Sequence, residues 1–167
     1  MILPMSRLDS FLRRLTAQRD CLDRAAGLVA GLPGPVLEVG LGNGRTYDHL
    51  RAILPGREIF VFDRHVDAHP DCIPDADHLL LGDFFSVLPR AGARIGALAA
   101  LGHCDTGSGD SEASRQQAAR LASLIDALMA PGGIVVSDQP MGMPRWQLLP
   151  LPDGVAPGRY YMWQVGV

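Results

Sequence analysis

The segment Val36-Leu37-Glu38-Val39-Gly40-Leu41-Gly42-Asn43-Gly44-Arg45-Thr46 reads as a strand, a tight glycine turn and the start of a helix. Three glycines at alternate positions let the backbone turn sharply and approach a ligand, and the helix that follows offers free N–H groups. Two cofactor chemistries use such a turn. A dinucleotide fold wants G-x-G-x-x-G, whose third glycine packs helix on strand beside a pyrophosphate. Counted from Gly40, that position is Arg45, and a bulky side chain there argues against a dinucleotide. Glu38, two residues before Gly40, would repel a pyrophosphate and suits a ligand with a positive amino group. Four more clusters follow apolar runs: Asp63-Arg64, Gly82-Asp83-Phe84, His103-Cys104-Asp105 and Ser137-Asp138-Gln139. His103, with an ordinary pKa of about 6.5, is the natural candidate general base. Cys104 reads as a small core residue.

These clusters need elements to position them. The runs Val36–Val39, Ile59–Phe62, Leu79–Leu81, Ile95–Leu101 and Ile134–Val136 are continuously apolar, which predicts strands covered on both faces. Helical spacing predicts helices over Ser6–Ala30, Thr46–Leu54 and Ser111–Met129. The first has one apolar stripe (Leu8, Phe11, Leu12, Leu15, Leu22, Ala25, Ala26, Val29), with Ser6 as cap and Gly31 and Pro33 as stop. It reads as a helix laid on a core, or as a lid over a ligand. The third ends at Pro131-Gly132-Gly133. Strand–helix alternation predicts an α/β fold with a doubly wound, Rossmann-like, mostly parallel sheet. Trp146–Leu149 and Arg159–Val167 read as a closing antiparallel hairpin, which makes the sheet mixed. The predicted division is residues 1–33 as an N-terminal amphipathic helix serving as lid or oligomer contact, and 34–167 as the ligand-binding domain.

With these residues in order, the chain from Gly34 onward resembles the class I methyltransferases that use S-adenosylmethionine. The E-x-G-x-G-x-G turn is that family's first motif. The resemblance implies that Glu38, Gly40, Gly42, Asn43 and Gly44 bind the cofactor and that Asp63, beside Arg64, holds the ribose hydroxyls. It implies that Asp83 accepts from the adenine amino group while Phe84 packs on the ring. The acceptor would lie over the ends of the fourth and fifth strands, with His103 and Asp105 as catalytic candidates. Asp105 and Asp138 also resemble the magnesium ligands of catechol-type O-methyltransferases. Gln139 replaces that family's Asn, however, and the segment HCDTGSGD differs from its motif, so no metal is expected. The D/N-P-P-Y type turn of the nucleic-acid amino-methyltransferases is missing too.

Composition narrows the partners. The 167 residues carry a net charge of −3, 47% hydrophobic and 20% charged residues, and no lysine. A Schiff-base lysine and a phosphate-loop lysine are thereby excluded. The arginines are dispersed, so no nucleic-acid surface is predicted. Three cysteines without CxxC spacing argue against disulfides and structural zinc. The longest uncharged run is broken by prolines and glycines, so no membrane span is predicted. The N-terminus MILPMSRLDS lacks a basic region followed by an apolar one. The expectation is a cytoplasmic methyltransferase acting on a small molecule. The stripe of the first helix and the minimal size point to a homo-oligomer. Two alternatives stand beside it: a non-catalytic S-adenosylmethionine-binding subunit or sensor, and an NAD-dependent oxidoreductase. A third, aminopropyl transfer, needs a further acidic polyamine site that the sequence does not place.

Overall fold

The computed structural model describes residues 5–167; the first four residues of the predicted N-terminal segment lie outside the described residues. Helix α1 spans Arg7–Leu28, started by the Ser6 side chain, which accepts from the Asp9 N–H. The chain then runs β1 (Val36–Val39), α2 (Arg45–Ile53), β2 (Ile59–Asp63), β3 (Leu79–Leu81), α3 (Phe84–Ile95), β4 (Ala99–Cys104), α4 (Ser111–Asp126), β5 (Met129–Ser137), β6 (Trp146–Leu148) and β7 (Tyr161–Val165). One seven-stranded sheet forms in the order β3-β2-β1-β4-β5-β7-β6. The first five are parallel; β7 lies antiparallel between β5 and β6. This is the mixed, Rossmann-like sheet expected from the alternation.

The sheet is covered on both faces, which is why β1 and β4 have no exposed residue and no polar alternation. Leu88 and Ala91 of α3 and Leu121 and Ile125 of α4 belong to one core layer. Cys21, Leu22 and Ala25 of α1 and Leu50 of α2 belong to the other. Among the described residues no helix is long and apolar enough to cross a membrane.

Two boundaries differ from the sequence pattern. Ile95, predicted to open a strand, closes α3. Phe84, Leu88, Ala91 and Ile95 recur at helical spacing and are buried, with Asp83 as cap. Pro89 lies inside this helix and obscures it in the sequence. Pro131-Gly132-Gly133, predicted to precede the fifth strand, lies within β5 as a bulge. Pairing with β4 jumps there from Ala99↔Met129 to Leu101↔Ile134. Gly132 has φ +81°, and any side chain on Gly133 would press on the carbonyls of Ala130 and Ala100. Leu128 and Met129 consequently fall outside α4.

Helix α1 divides into two halves. Ala17, Gln18, Cys21, Leu22 and Ala25 are buried. Leu8, Phe11 and Leu12 of the same stripe are exposed, while Arg14, Leu15 and Gln18 share a cavity with the glycine turn.

Candidate active site

The glycine turn links β1 to α2. Gly40 has φ +96° and lies against the Asp105 carbonyl, where a Cβ would collide; Asp105 N–H donates to the Val39 carbonyl at 3.0 Å. Glycine here lets the ends of β1 and β4 meet. Gly44, at φ +84°, caps α2, and a Cβ there would stand 2.5 Å from the Cys72 side chain. Gly42 differs. At φ +52° it has open space where a side chain would project. The Asp63 carboxylate secures the turn, accepting from the N–H groups of Leu41 at 2.7 Å, Gly42 at 3.2 Å and Arg64 at 2.6 Å. Asn43 Oδ1 accepts from the Arg45 N–H at 3.3 Å.

At the end of β3, Asp83 caps α3 through the Phe85 N–H and pairs with Arg64 at 3.3 Å, both side chains being largely exposed. Phe84 is buried in the core. Its neighbour Phe85 lies under the Arg120 guanidinium, 4.1 Å from the ring centroid.

Beneath the turn runs a buried polar chain. Glu38 and His103 are register partners on β1 and β4 and both are fully buried. His103 Nδ1 is 2.7 Å from Glu38 Oε1, and Thr46 donates to the same oxygen at 3.0 Å. His103 Nε2 is 2.7 Å from the Tyr160 hydroxyl. Gln18 Nε2 donates to that hydroxyl at 2.9 Å and to Asp105 Oδ2 at 2.6 Å. With neutral His103 protonated on Nδ1, every link has one donor and one acceptor: Gln18 to Tyr160, Tyr160 to His103, His103 to Glu38. Burial disfavours the imidazolium, but the Glu38 carboxylate, aided by Asp105 and Asp138, outweighs it and holds the His103 pKa above its ordinary value. Burial, with Asp105 nearby, holds the Tyr160 phenol well above the usual range. Both ring nitrogens of His103 are engaged, so the ring expected to meet an acceptor is a buried strut in this structure.

At the ends of β4 and β5, Asp105 faces Asp138. Burial and the Asp105 charge push the Asp138 carboxyl from 3.8 to about 6. Its Oδ2 accepts from Gln139 at 3.2 Å and stands where a Cβ on Gly107 would project. Burial raises the Cys104 thiol pKa far above its ordinary value, so Cys104 is an inert core residue, as expected. Among the described residues no group of three potential metal ligands forms.

A cavity of about 210 Å³ joins these parts. It is lined by Gly40, Leu41, Gly42 and Asn43 of the turn, Asp105 and Gly107 of the β4 loop, Arg45 and Thr46 of α2, and Arg14, Leu15 and Gln18 of α1. The sequence profile of a family described as S-adenosyl-L-methionine methyltransferase matches residues 5–165. The chain belongs to that family. It is similar to the S-adenosyl-L-methionine methyl transferase of Silicibacter pomeroyi DSS-3, with 45% identity, a TM-score of 0.92, and coverage of 98% of this chain and 100% of that one. Two more distant structures share the fold. The plantazolicin methyltransferase BpumL, in complex with SAH, is 12% identical with a TM-score of 0.55; the match covers 78% of this chain and 49% of that one. TrmN from Thermus thermophilus is 16% identical with a TM-score of 0.54, over 93% and 52%. The chain thus spans about half the length of these two. No curated protein matches.

The family's cofactor is S-adenosylmethionine, and the residues present fit it. The open space at Gly42 leaves room for a ligand where a side chain would fill it. Glu38 Oε2 is buried and without a hydrogen-bond partner among the described residues, an acceptor left open beneath the turn. Gly40, Gly42 and Asn43 line the cavity, and Gly44 shapes the turn behind them. Asp63, Arg64 and Asp83 stand together at the ends of β2 and β3, whereas Phe84 lies in the core.

Sequence reasoning missed Gln18, Tyr160 and Arg14. For Gln18 a signal exists: it is a glutamine inside the apolar stripe, between Leu15 and Leu22. Tyr160 carries none, because its partners lie 57 and 142 residues away in sequence.

Proposed function

We propose that the acceptor of this methyltransferase is a small molecule bound over the ends of β4 and β5, against Asp105 and Asp138. The carboxyl pair carries this reading: Asp105 lines the cofactor cavity itself, and Asp138 beside it has a pKa of about 6. Bound S-adenosylmethionine supplies a methyl group on a positively charged sulfur. An acceptor held at the ends of β4 and β5 would form the new bond to that methyl carbon with its lone pair, and the carbon–sulfur electron pair would stay on sulfur. An O–H or N–H acceptor must also lose a proton. A carboxylate of the Asp105–Asp138 pair takes it. His103 supports this indirectly, by fixing Glu38 under the turn and Tyr160 against Gln18, which in turn orients Asp105.

A small acceptor also suits a net charge of −3 without clustered arginines. Helix α1 acts as the lid through Arg14, Leu15 and Gln18. The same reading places the protein in the cytoplasm as a homo-oligomer, with exposed Leu8 and Leu12 at the contact; light scattering tests the assembly.

The decisive experiment measures S-adenosylhomocysteine formation with panels of small phenols, carboxylates, thiols and amines, and with RNA and denatured protein. Turnover with one small-molecule class, lost in Asp138→Asn while cofactor affinity persists, supports the proposal. Turnover confined to RNA or protein overturns it.

A further inference from the structure

Arg45 stands where a dinucleotide fold would need glycine, and its bulk there has a use. Its side chain lines the cavity over the glycine turn, and Arg14 of α1 lines the same cavity. Both arginines are exposed. Among the described residues, neither guanidinium has an acidic partner. The Phe11 ring, 5.9 Å from the Arg45 guanidinium carbon, restricts that side chain from the α1 side. Asp105 contributes the acidic group of this cavity. Two unpaired cations and one anion around a single space match a zwitterion, a carboxylate toward the arginines and an ammonium toward the acid. The amino-acid arm of S-adenosylmethionine is such a group.

We propose that Arg14 and Arg45 bind the carboxylate of that arm and thereby select S-adenosylmethionine over its decarboxylated, aminopropyl-donating counterpart. This rests on the cofactor assignment and goes beyond it, because the resemblance assigns only the nucleoside end, to Asp63 and Asp83. It also gives exposed Phe11 a purpose and makes the first half of α1 part of the cofactor site.

Calorimetry with four ligands tests the proposal: S-adenosylmethionine, S-adenosylhomocysteine, decarboxylated S-adenosylmethionine and 5′-methylthioadenosine, which lacks the arm. The two carboxylate-bearing ligands should bind the unmodified protein about ten- to a hundredfold more tightly than the decarboxylated one. Arg14→Met and Arg45→Met, which keep an apolar stem of similar length, should each shrink that ratio and leave methylthioadenosine affinity unchanged. Arg45→Lys should restore part of it. An unchanged ratio in both methionine variants, or equal weakening of all four ligands, overturns the proposal. If the unmodified protein fails to bind even methylthioadenosine, the cofactor assignment itself falls.

Discussion

Glu38 and Asp63 lie on adjacent parallel strands and serve the same turn, yet they are held in opposite ways. Glu38 is wholly buried, with one oxygen shared by Thr46 and His103 and the other unpartnered. Asp63 is half-buried and accepts from three backbone N–H groups of its own neighbourhood. The first belongs to a brace that ties α1, β1, β4 and the entry to β7 together without water. The second keeps solvent within reach of its carboxylate. Burial, more than residue type, therefore divides carboxylates that hold the site together from those free to bind.

Five measurements bear on that contrast. Glu38→Ala should be the most damaging, lowering unfolding free energy by about 3–5 kcal/mol, because it leaves His103 buried without its partner. Urea denaturation of Asp63→Ala should show much less, and equal losses in the two would abolish the distinction. Gly42→Val should remove cofactor binding in calorimetry while costing at most about 2 kcal/mol of stability for its left-handed backbone; retained affinity would detach the turn from the cofactor. Tyr160→Phe should cost about 1–3 kcal/mol by leaving His103 Nε2 and Gln18 short of a partner. Its denaturation midpoint should move further than its affinity for S-adenosylmethionine. Asp63→Ala should do the reverse, weakening binding by about 1–3 kcal/mol, read from the dissociation constant.

The smallest effect concerns pH. The Asp138 pKa is raised in the folded protein, from 3.8 to about 6, so its protonated form favours folding. That contribution is fully present below the unfolded value and is lost as pH rises through about 6. Asp138→Asn should flatten the fall of thermal stability across that window; an unaltered pH profile would mean that burial and Asp105 do not raise the Asp138 pKa.

The cofactor side was legible because its signals are local. Alternating glycines between an apolar run and a helical pattern specify a turn, and acids just after apolar runs fall at strand ends. The bulge in β5 and helix α3 were less legible. Proline and glycine in those segments signal termination, while tertiary packing against β4 and the core overrides them. His103 shows the same limit within the site. Its type suggests a base, and its place on β4 was readable, but its partners Glu38 and Tyr160 lie 65 and 57 residues away.

The sequence by itself determined the order of the strands, the glycine turn and the acids around it, since each depends on neighbours a few residues apart, and the resemblance carried by those residues supplied the cofactor class. The tertiary structure alone decided which polar groups are dry and which are wet. It buried His103, laid half of α1 over the turn with Gln18 and Arg14, and set Asp138 beside Asp105. Those outcomes depend on desolvation and on contacts between distant segments, which no local spacing encodes.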